Sequence, residues 1–469
     1  MDFVNEKLNE FNDFLNNKNV AVIGLGVSNI PLIDYLHTYN ANVTVFDKRE
    51  IDNINKNVVN KVTDYGMKFS LGNDYLSGLK GFDLIFRSPS CLPNTKELVE
   101  EEKRGAIITT EVEMCMKLTP CKVIGITGSD GKTTTTTLIS EILKAKGYKV
   151  FLGGNIGTPL FTKVNEMRPE DIVVLELSSF QLMGMNISPS IAVVTNVTPN
   201  HLDYHTDLNE YIEAKKTILD YQTKDDLLIL NYDNEVTRNY AKDAKGKVVF
   251  FSDQKILDDG FIVDDGKIKY SENKLRKHIL NVKDVALIGK HNYQNICAAL
   301  AATKDLVDED TARKVVSSFA GVHHRLEFVK KSSTGVKWYN DSASTSPART
   351  ISGIKAFDDK VILIAGGYDK NLDYTPIAKP IIDGVSSLIL MGATRRKIFD
   401  AVSKELKKQN KILDIYEVFS LEEAIDTANE ISKSGDVVLF SPASASFDMF
   451  NNAYERGDKF KDCVNRKII

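Results

Sequence analysis

The run Gly125-Ile126-Thr127-Gly128-Ser129-Asp130-Gly131-Lys132-Thr133 has the residue types needed to hold the phosphates of a nucleotide. Glycines let backbone N–H groups approach phosphate oxygens, and a helix start beyond them favours anions. Lys132 supplies a point charge for the β- and γ-phosphates, and the Thr133 hydroxyl is placed to ligate magnesium. Ile126 stands where the first glycine of the full phosphate-loop pattern belongs, so a purely structural strand–helix turn is the alternative. A second turn, Gly24-Leu25-Gly26-Val27-Ser28-Asn29, is a partial dinucleotide fingerprint with Asn29 in the last glycine's place. Asp47 ends a strand-like run 21 residues after Gly26, where an acid commonly meets a ribose or base. A ligand-free tight turn and a bound nucleotide or nucleotide sugar both fit this segment.

Other candidates sit at the ends of apolar runs. Glu176 closes the strand-like part of LELSSFQ, and His201 follows another run in NVTPNHLDYH. Ligands of open parallel sheets gather outside the carboxyl ends of strands, and oxygen and imidazole donors there suit Mg²⁺. Lys215 and Lys216 lie on a predicted helix, EYIEAKKTIL, and read alone as a solvated face. His291, Asn292 and Asn295 in GKHNYQNICAAL include an i, i+4 pair that meets a flat ring or serves only as cap and surface. His323-His324-Arg325, Asp341, Lys370 and Ser444-Ala445-Ser446 complete the set.

The elements that must position these residues are short β-branched runs alternating with helical patterns. Such runs occur at 19–24, 42–47, 122–128, 171–178, 191–197, 361–367, 387–393 and 436–442. Their near-continuous apolar character predicts parallel sheets buried on both faces, in an α/β fold. The two phosphate-loop-like turns, about 100 residues apart, do not fit one sheet, and a third group of strands is expected after Trp338. At roughly 150 residues per domain, the 469 residues therefore divide into 1–117, 118–321 and 322–469. The 60 basic and 64 acidic residues leave a formal charge of −4, which argues against bulk binding to nucleic acid or an anionic membrane. Five cysteines with no CxxC pair fit a reducing compartment without disulfides or a thiolate zinc site. The acidic N-terminal segment has helical spacing at Val4, Leu8, Phe11 and Leu15, unlike a signal peptide. No run reaches the ~18 apolar residues of a membrane span, so a soluble cytoplasmic monomer is expected.

The order GSDGKTTTT, LELSSFQL, NVTPNHLDYH, EYIEAKK, GKHNYQN, HHRLEF, WYNDSASTS, AGGYDK and SPASASFDMFNNAYERG resembles the Mur ligases across nearly the whole chain. Its wording is closest to the member that adds D-glutamate to UDP-N-acetylmuramoyl-L-alanine. The resemblance implies three domains: a Rossmann-like one for the UDP substrate, a central ATPase of phosphate-loop type, and a Rossmann-like one for the amino acid. It also implies ATP and two Mg²⁺ ions, an acyl-phosphate intermediate, and domain closure to shield that intermediate. The nucleotide contacts carried over are Gly128, Ser129, Asp130, Gly131, Lys132, Thr133, Thr134, Asn292, Asn295, Arg325 and Asp341. Thr133 and Glu176 share one Mg²⁺ and His201 serves the second. Lys215 matches the lysine that reacts with CO₂ to form a carbamate beside the metals, with Lys216 as the alternative because the loop after His201 is one residue short.

The same resemblance assigns Val27, Ser28, Asp47, Lys48 and Arg49 to the uridine diphosphate and Asn155 to the sugar-peptide. Thr345, Lys370, Ser446 and Phe447 would form the D-glutamate pocket. Ala343 replaces a frequent lysine and Phe447 a smaller aliphatic residue, so the shape of that pocket departs from the pattern. The DNPR and GKGHE signatures of the diamino-acid-adding sibling are absent from the sequence. An NAD-dependent oxidoreductase would leave GSDGKTT unexplained. A nucleotide-gated binding module would leave His201 and Lys215 without roles.

Overall fold

The computed structural model describes residues 3–199 and 205–469, and three sheets organise them. The first has five parallel strands: β1 (Asn19–Ile23), β2 (Asn42–Asp47), β3 (Lys68–Leu71), β4 (Leu84–Arg87) and β5 (Ile107–Thr109). Their order is β3-β2-β1-β4-β5. The second sheet has nine strands in the order β14-β13-β12-β11-β10-β9-β6-β8-β7. Its members are β6 (Lys122–Thr127), β7 (Val150–Gly154), β8 (Ile172–Glu176), β9 (Ile191–Val194), β10 (Leu227–Asn231), β11 (Lys247–Ser252), β12 (Gly260–Asp264), β13 (Lys267–Glu272) and β14 (Leu275–Asn281). The third sheet holds β15 (Glu327–Lys331), β16 (Lys337–Asn340), β17 (Val361–Ala365), β18 (Val385–Leu390), β19 (Asp414–Glu417) and β20 (Val437–Phe440), in the order β15-β16-β20-β17-β18-β19.

The strands that carry the site are the most apolar ones. Every residue of β8, β9 and β17 is buried, as expected for central parallel strands covered by helices on both faces. In β6 only Lys122 at the strand's start is exposed. Two departures from expectation concern polar strands. Trp338 lies inside β16, and β15 precedes it, so the third sheet starts earlier than the expected position after Trp338. β15 reads EFVKK and pairs antiparallel at the sheet's edge, where no apolar run is required. The hairpins β12–β13–β14 are antiparallel as well and half-exposed, so an expectation of parallel strands alone passes over them.

The described chain forms two compact units. One runs to Lys283 and includes Tyr293–Val315; the other is Asp284–Asn292 with Val316–Ile469. In the first unit the first two sheets share an apolar core. Phe161 joins it, with its ring centroid 4.7 Å from Tyr35 and 5.8 Å from both Phe11 and Phe86. The N-terminal helix Glu6–Leu15, capped by Asn5, buries Leu8 and Leu15. The third sheet has its own cores on its two faces. All five cysteines are buried and free. Among the described residues no helix is long and apolar enough to cross a membrane.

Candidate functional site

β6 ends at Thr127, and the chain turns through Gly128–Gly131 into the helix Lys132–Lys146. Gly128 has φ +149° and Gly131 φ +78°, conformations that side chains rarely adopt. A Cβ on Gly131 would overlap the Asn295 Oδ1, and one on Gly128 would overlap the Thr195 hydroxyl. The segment after β9 imposes the loop's shape. Ser129 N–H donates to the Asn196 carbonyl at 2.8 Å, Asp130 N–H to Asn196 Oδ1 at 2.9 Å, and the Thr195 hydroxyl to the Asp130 carbonyl at 2.6 Å. The Ser129 hydroxyl meets Tyr211 Oη at 2.9 Å. Thr133 is buried and Thr134 half-buried in the first helical turn. The Ser129 and Asp130 N–H groups are thus taken by Asn196, and the start of the helix beyond them is where an anion would be held.

Two lysine amines converge on one carbonyl of this loop. Lys132 Nζ lies 2.9 Å from the Gly128 oxygen and 3.0 Å from that of Ser129. Lys215 Nζ lies 2.8 Å from the same Gly128 oxygen and 4.7 Å from the centre of the Tyr211 ring. Lys215 is only 2% exposed. Burial, followed by repulsion from Lys132, holds its amine well below the ordinary lysine range; Asp130 and Glu176 work the other way. Its neighbour on the helix Leu208–Asp220 faces elsewhere: Lys216 pairs with Asp243 at 3.2 Å and Asp220 at 3.5 Å. Burial lowers the Lys216 amine and those two acids more than offset it, leaving it raised. Of the two candidates, only Lys215 meets the phosphate loop and carries the depressed amine that reaction with CO₂ needs.

Glu176 ends β8 in register with Ile126 of β6. One carboxylate oxygen accepts from Asn155 Nδ2 at 2.8 Å, while the other, Oε2, is buried with no hydrogen-bond partner. An ionised oxygen buried without a partner is costly. At the end of the strand that pairs with β6, which leads into the phosphate loop, it suits a hard cation bound by oxygen. Thr133 and Glu176 therefore fit a magnesium ion, although the described residues contain no group of three or more His, Cys, Asp or Glu able to hold a metal alone. His201 lies outside the described residues. His205, just beyond, is buried, with Nε2 3.0 Å from the Ser179 hydroxyl and its ring stacked on Phe180.

In the first sheet Asp47 is buried at the end of β2 and fully engaged. It accepts from Leu25 N–H at 2.8 Å, and from Arg49 N–H, Nε and a terminal nitrogen at 2.9, 2.8 and 2.7 Å. Burial works to raise its carboxyl, but these donors prevail and hold it at about 2. Ser28 is half-buried, while Val27 and Lys48 are exposed on the turns. Of the remaining residues, all but Asn295 stand on the second unit. Lys370 Nζ lies 5.6 Å over the Phe447 ring, which is 58% exposed. Ser446 is buried, Thr345 half-buried and Arg325 exposed. Asn292 opens the helix Asn292–Thr303 and donates to the Ile288 carbonyl at 2.5 Å. Asn295, one turn on, is buried against Gly131 and accepts from the Thr135 hydroxyl at 3.3 Å.

Three family models match the chain in succession: Mur ligase MurD-like, N-terminal domain, over 18–110; Mur ligase middle domain over 126–303; and Mur ligase, glutamate ligase domain, over 324–444. The UDP-N-acetylmuramoylalanine--D-glutamate ligase of Acetivibrio thermocellus is 47% identical over 464 residues, covering 98% of this chain and 99% of that protein. This chain belongs to the Mur ligase family. The enzyme of the same name from Clostridium beijerinckii is 48% identical over 456 residues, 97% of this chain and 98% of that one. The crystal structure of the UDP-N-acetylmuramate-alanine ligase of Thermotoga maritima superposes with a TM-score of 0.57. At 18% identity, with 96% of this chain and all of that one covered, it shares the fold.

Mur ligases are ATP-dependent and use magnesium. In this Mur ligase both carboxylate oxygens of Asp341 are engaged by neighbouring loops. Oδ2 accepts from the Ser344 and Ser441 hydroxyls at 2.6 Å each, and Oδ1 from Leu326 N–H at 3.3 Å. The contact thereby braces the Arg325 loop, in which His324 and Leu326 adopt left-handed backbone, φ +64° and +44°. Complete burial outweighs these donors and pushes the carboxyl up to about 6. A carboxyl raised above its unfolded value of 3.8 adds stability below that pH and loses it as pH rises through about 6. Asp341→Asn is therefore expected to flatten the fall in urea midpoint between pH 4.5 and 7 relative to the unsubstituted protein. An unchanged slope would show that another group controls it. Residues the sequence reading passed over include Asn196 and Tyr211, which shape the phosphate loop, and Arg456, within the quoted AYERG.

Proposed function

We propose that this Mur ligase joins D-glutamate to UDP-N-acetylmuramoyl-L-alanine in the cytoplasmic assembly of peptidoglycan precursors, acting as a monomer with domains 1–117, 118–321 and 322–469. The observation that carries this reading is the 47% identity, over 98% of the chain, to a ligase of that name. The substrate carboxylate attacks the γ-phosphorus of ATP; the bond from γ-phosphorus to the bridging oxygen breaks, releasing ADP and leaving an acyl phosphate. The neutral amine of D-glutamate then attacks the acyl carbon. The tetrahedral adduct expels phosphate, and the amine proton passes to solvent as the amide forms.

Transfer between two anions needs charge neutralisation and alignment more than covalent help. Gly128–Gly131 cradle the phosphates, and Lys132 leaves its loop carbonyls to follow the transferred group. Thr133 and Glu176 would hold one of two magnesium ions, His201 the other. Bound magnesium supplies positive charge to the phosphate oxygens and aligns them. Neutral Lys215 would add CO₂ through its nitrogen with loss of one proton, giving a carbamate anion beside Lys132. Asn155 would touch the sugar-peptide; Val27, Ser28, Asp47, Lys48 and Arg49 the uridine diphosphate; Asn292, Asn295, Arg325 and Asp341 the nucleotide; and Thr345, Lys370, Ser446 and Phe447 the D-glutamate.

Phosphate release with ATP, Mg²⁺ and UDP-N-acetylmuramoyl-L-alanine, measured with D-glutamate, L-glutamate, L-alanine or L-lysine, tests the reading. Release with D-glutamate alone, with a product heavier by one glutamyl residue, is expected. A response only to another amino acid would move the enzyme to another step of the same chemistry.

A further inference from the structure

Arg456, on the helix Ala453–Lys467, is completely buried. Its Nε donates to the Ser342 hydroxyl at 3.0 Å. One terminal nitrogen donates to the Ser342 carbonyl at 2.9 Å, and the other to the carbonyls of Ser444 and Ala445 at 3.1 and 2.8 Å. None of these acceptors is a carboxylate. Burial lowers the guanidinium to about 10, with Asp448 the one charge that opposes the shift. A buried cation with no paired carboxylate, held by carbonyls, a hydroxyl and the face of the Phe440 ring at 5.9 Å, is costly to bury. Its geometry explains what else it does.

Ser342 lies in the loop after β16, and Ser444 and Ala445 in the loop after β20; these strands are neighbours in the sheet. The planar fork of a guanidinium fixes the spacing of groups on two sides at once. The frame continues outward from Arg456. The Ser444 hydroxyl meets Tyr374 Oη at 2.7 Å and the Thr394 hydroxyl at 2.8 Å, and Thr394 accepts from Gly367 N–H at 3.0 Å. The Ala445 carbonyl also accepts from Tyr368 N–H at 2.9 Å. Gly367 is pressed against the guanidinium: a Cβ there would lie 3.0 Å from a terminal nitrogen. Thr345, Lys370, Ser446 and Phe447 all stand on the loops so joined.

We propose that Arg456 is a positioning residue of the amino-acid pocket, one side chain that sets the spacing between the loops after β16 and β20 and through them the loop after β17. The inference rests on assigning these loops to the D-glutamate pocket. Arg456→Lys keeps the charge and loses the fork. It is expected to raise the KM for D-glutamate tenfold or more, while the KM values for ATP and the UDP substrate stay within twofold. Millimolar guanidinium should lower the D-glutamate KM of Arg456→Ala. If Arg456→Lys does not fold, Ser342→Ala removes one acceptor alone and should raise the same KM about threefold. An unchanged D-glutamate KM, or a parallel rise in all three KM values, overturns the proposal. An unsubstituted enzyme that ignores D-glutamate overturns the assignment of the pocket instead.

Discussion

Lys215→Ala is expected to lower ligation and phosphate release by about a hundred-fold or more, the scale on which removal of one preorganised charge-stabilising group is felt. Millimolar formate or acetate should restore part of the lost activity by standing where the carbamate carboxyl would. Lys215 is buried at the end of β6, beside Lys132 and the Gly128 carbonyl, so the alanine variant leaves a polar gap that a small anion can enter. Lys216→Ala, which breaks the pairs with Asp220 and Asp243, should change activity less than threefold. Full activity in Lys215→Ala would remove the carbamate from the mechanism. Loss without any carboxylate rescue would make Lys215 a structural partner of the loop.

Glu176→Gln is the second large effect: kcat is expected to fall about 10² to 10³-fold, with partial recovery as magnesium is raised. The substitution keeps size and the Oε1 that accepts from Asn155, so the loss follows from charge. The same change removes a buried, unpartnered anionic oxygen, so the melting temperature should hold or rise. Stability and activity moving in opposite directions is what distinguishes a residue kept for chemistry. A variant that loses both together would place Glu176 in the framework, and one that keeps its rate would free it of any role in metal binding.

The apolar runs made the α/β class legible, because central parallel strands such as β8 and β17 need no polar residue. The phosphate loop was legible for a related reason: its glycines are demanded by backbone approach and left-handed φ. Lys215 and Lys216 were beyond that reading. Successive helical residues differ by about 100° around the axis, and nothing in KK tells which one faces β6. Asp47 was legible as an acid at a strand end, but its pairing with Arg49 and the Leu25 amide depends on the fold of two turns. Arg456 left no trace because its acceptors are mainly backbone carbonyls, some of them more than a hundred residues away, and carbonyls have no spelling. β12 to β14 were missed because these hairpin strands mix charged with apolar residues and carry no continuous apolar run.

The sharing of the Gly128 carbonyl by Lys132 and Lys215 ties ligand binding to protons. With both amines on one oxygen, the loop favours fewer than two positive charges. If phosphates drew Lys132 away, one of the two causes that depress the Lys215 amine would go, burial remaining the larger; under the proposed mechanism, CO₂ adding to Lys215 would release a proton. Filling the loop would then be an acid–base event as well as a docking event, and nucleotide affinity would follow the proton activity of the medium.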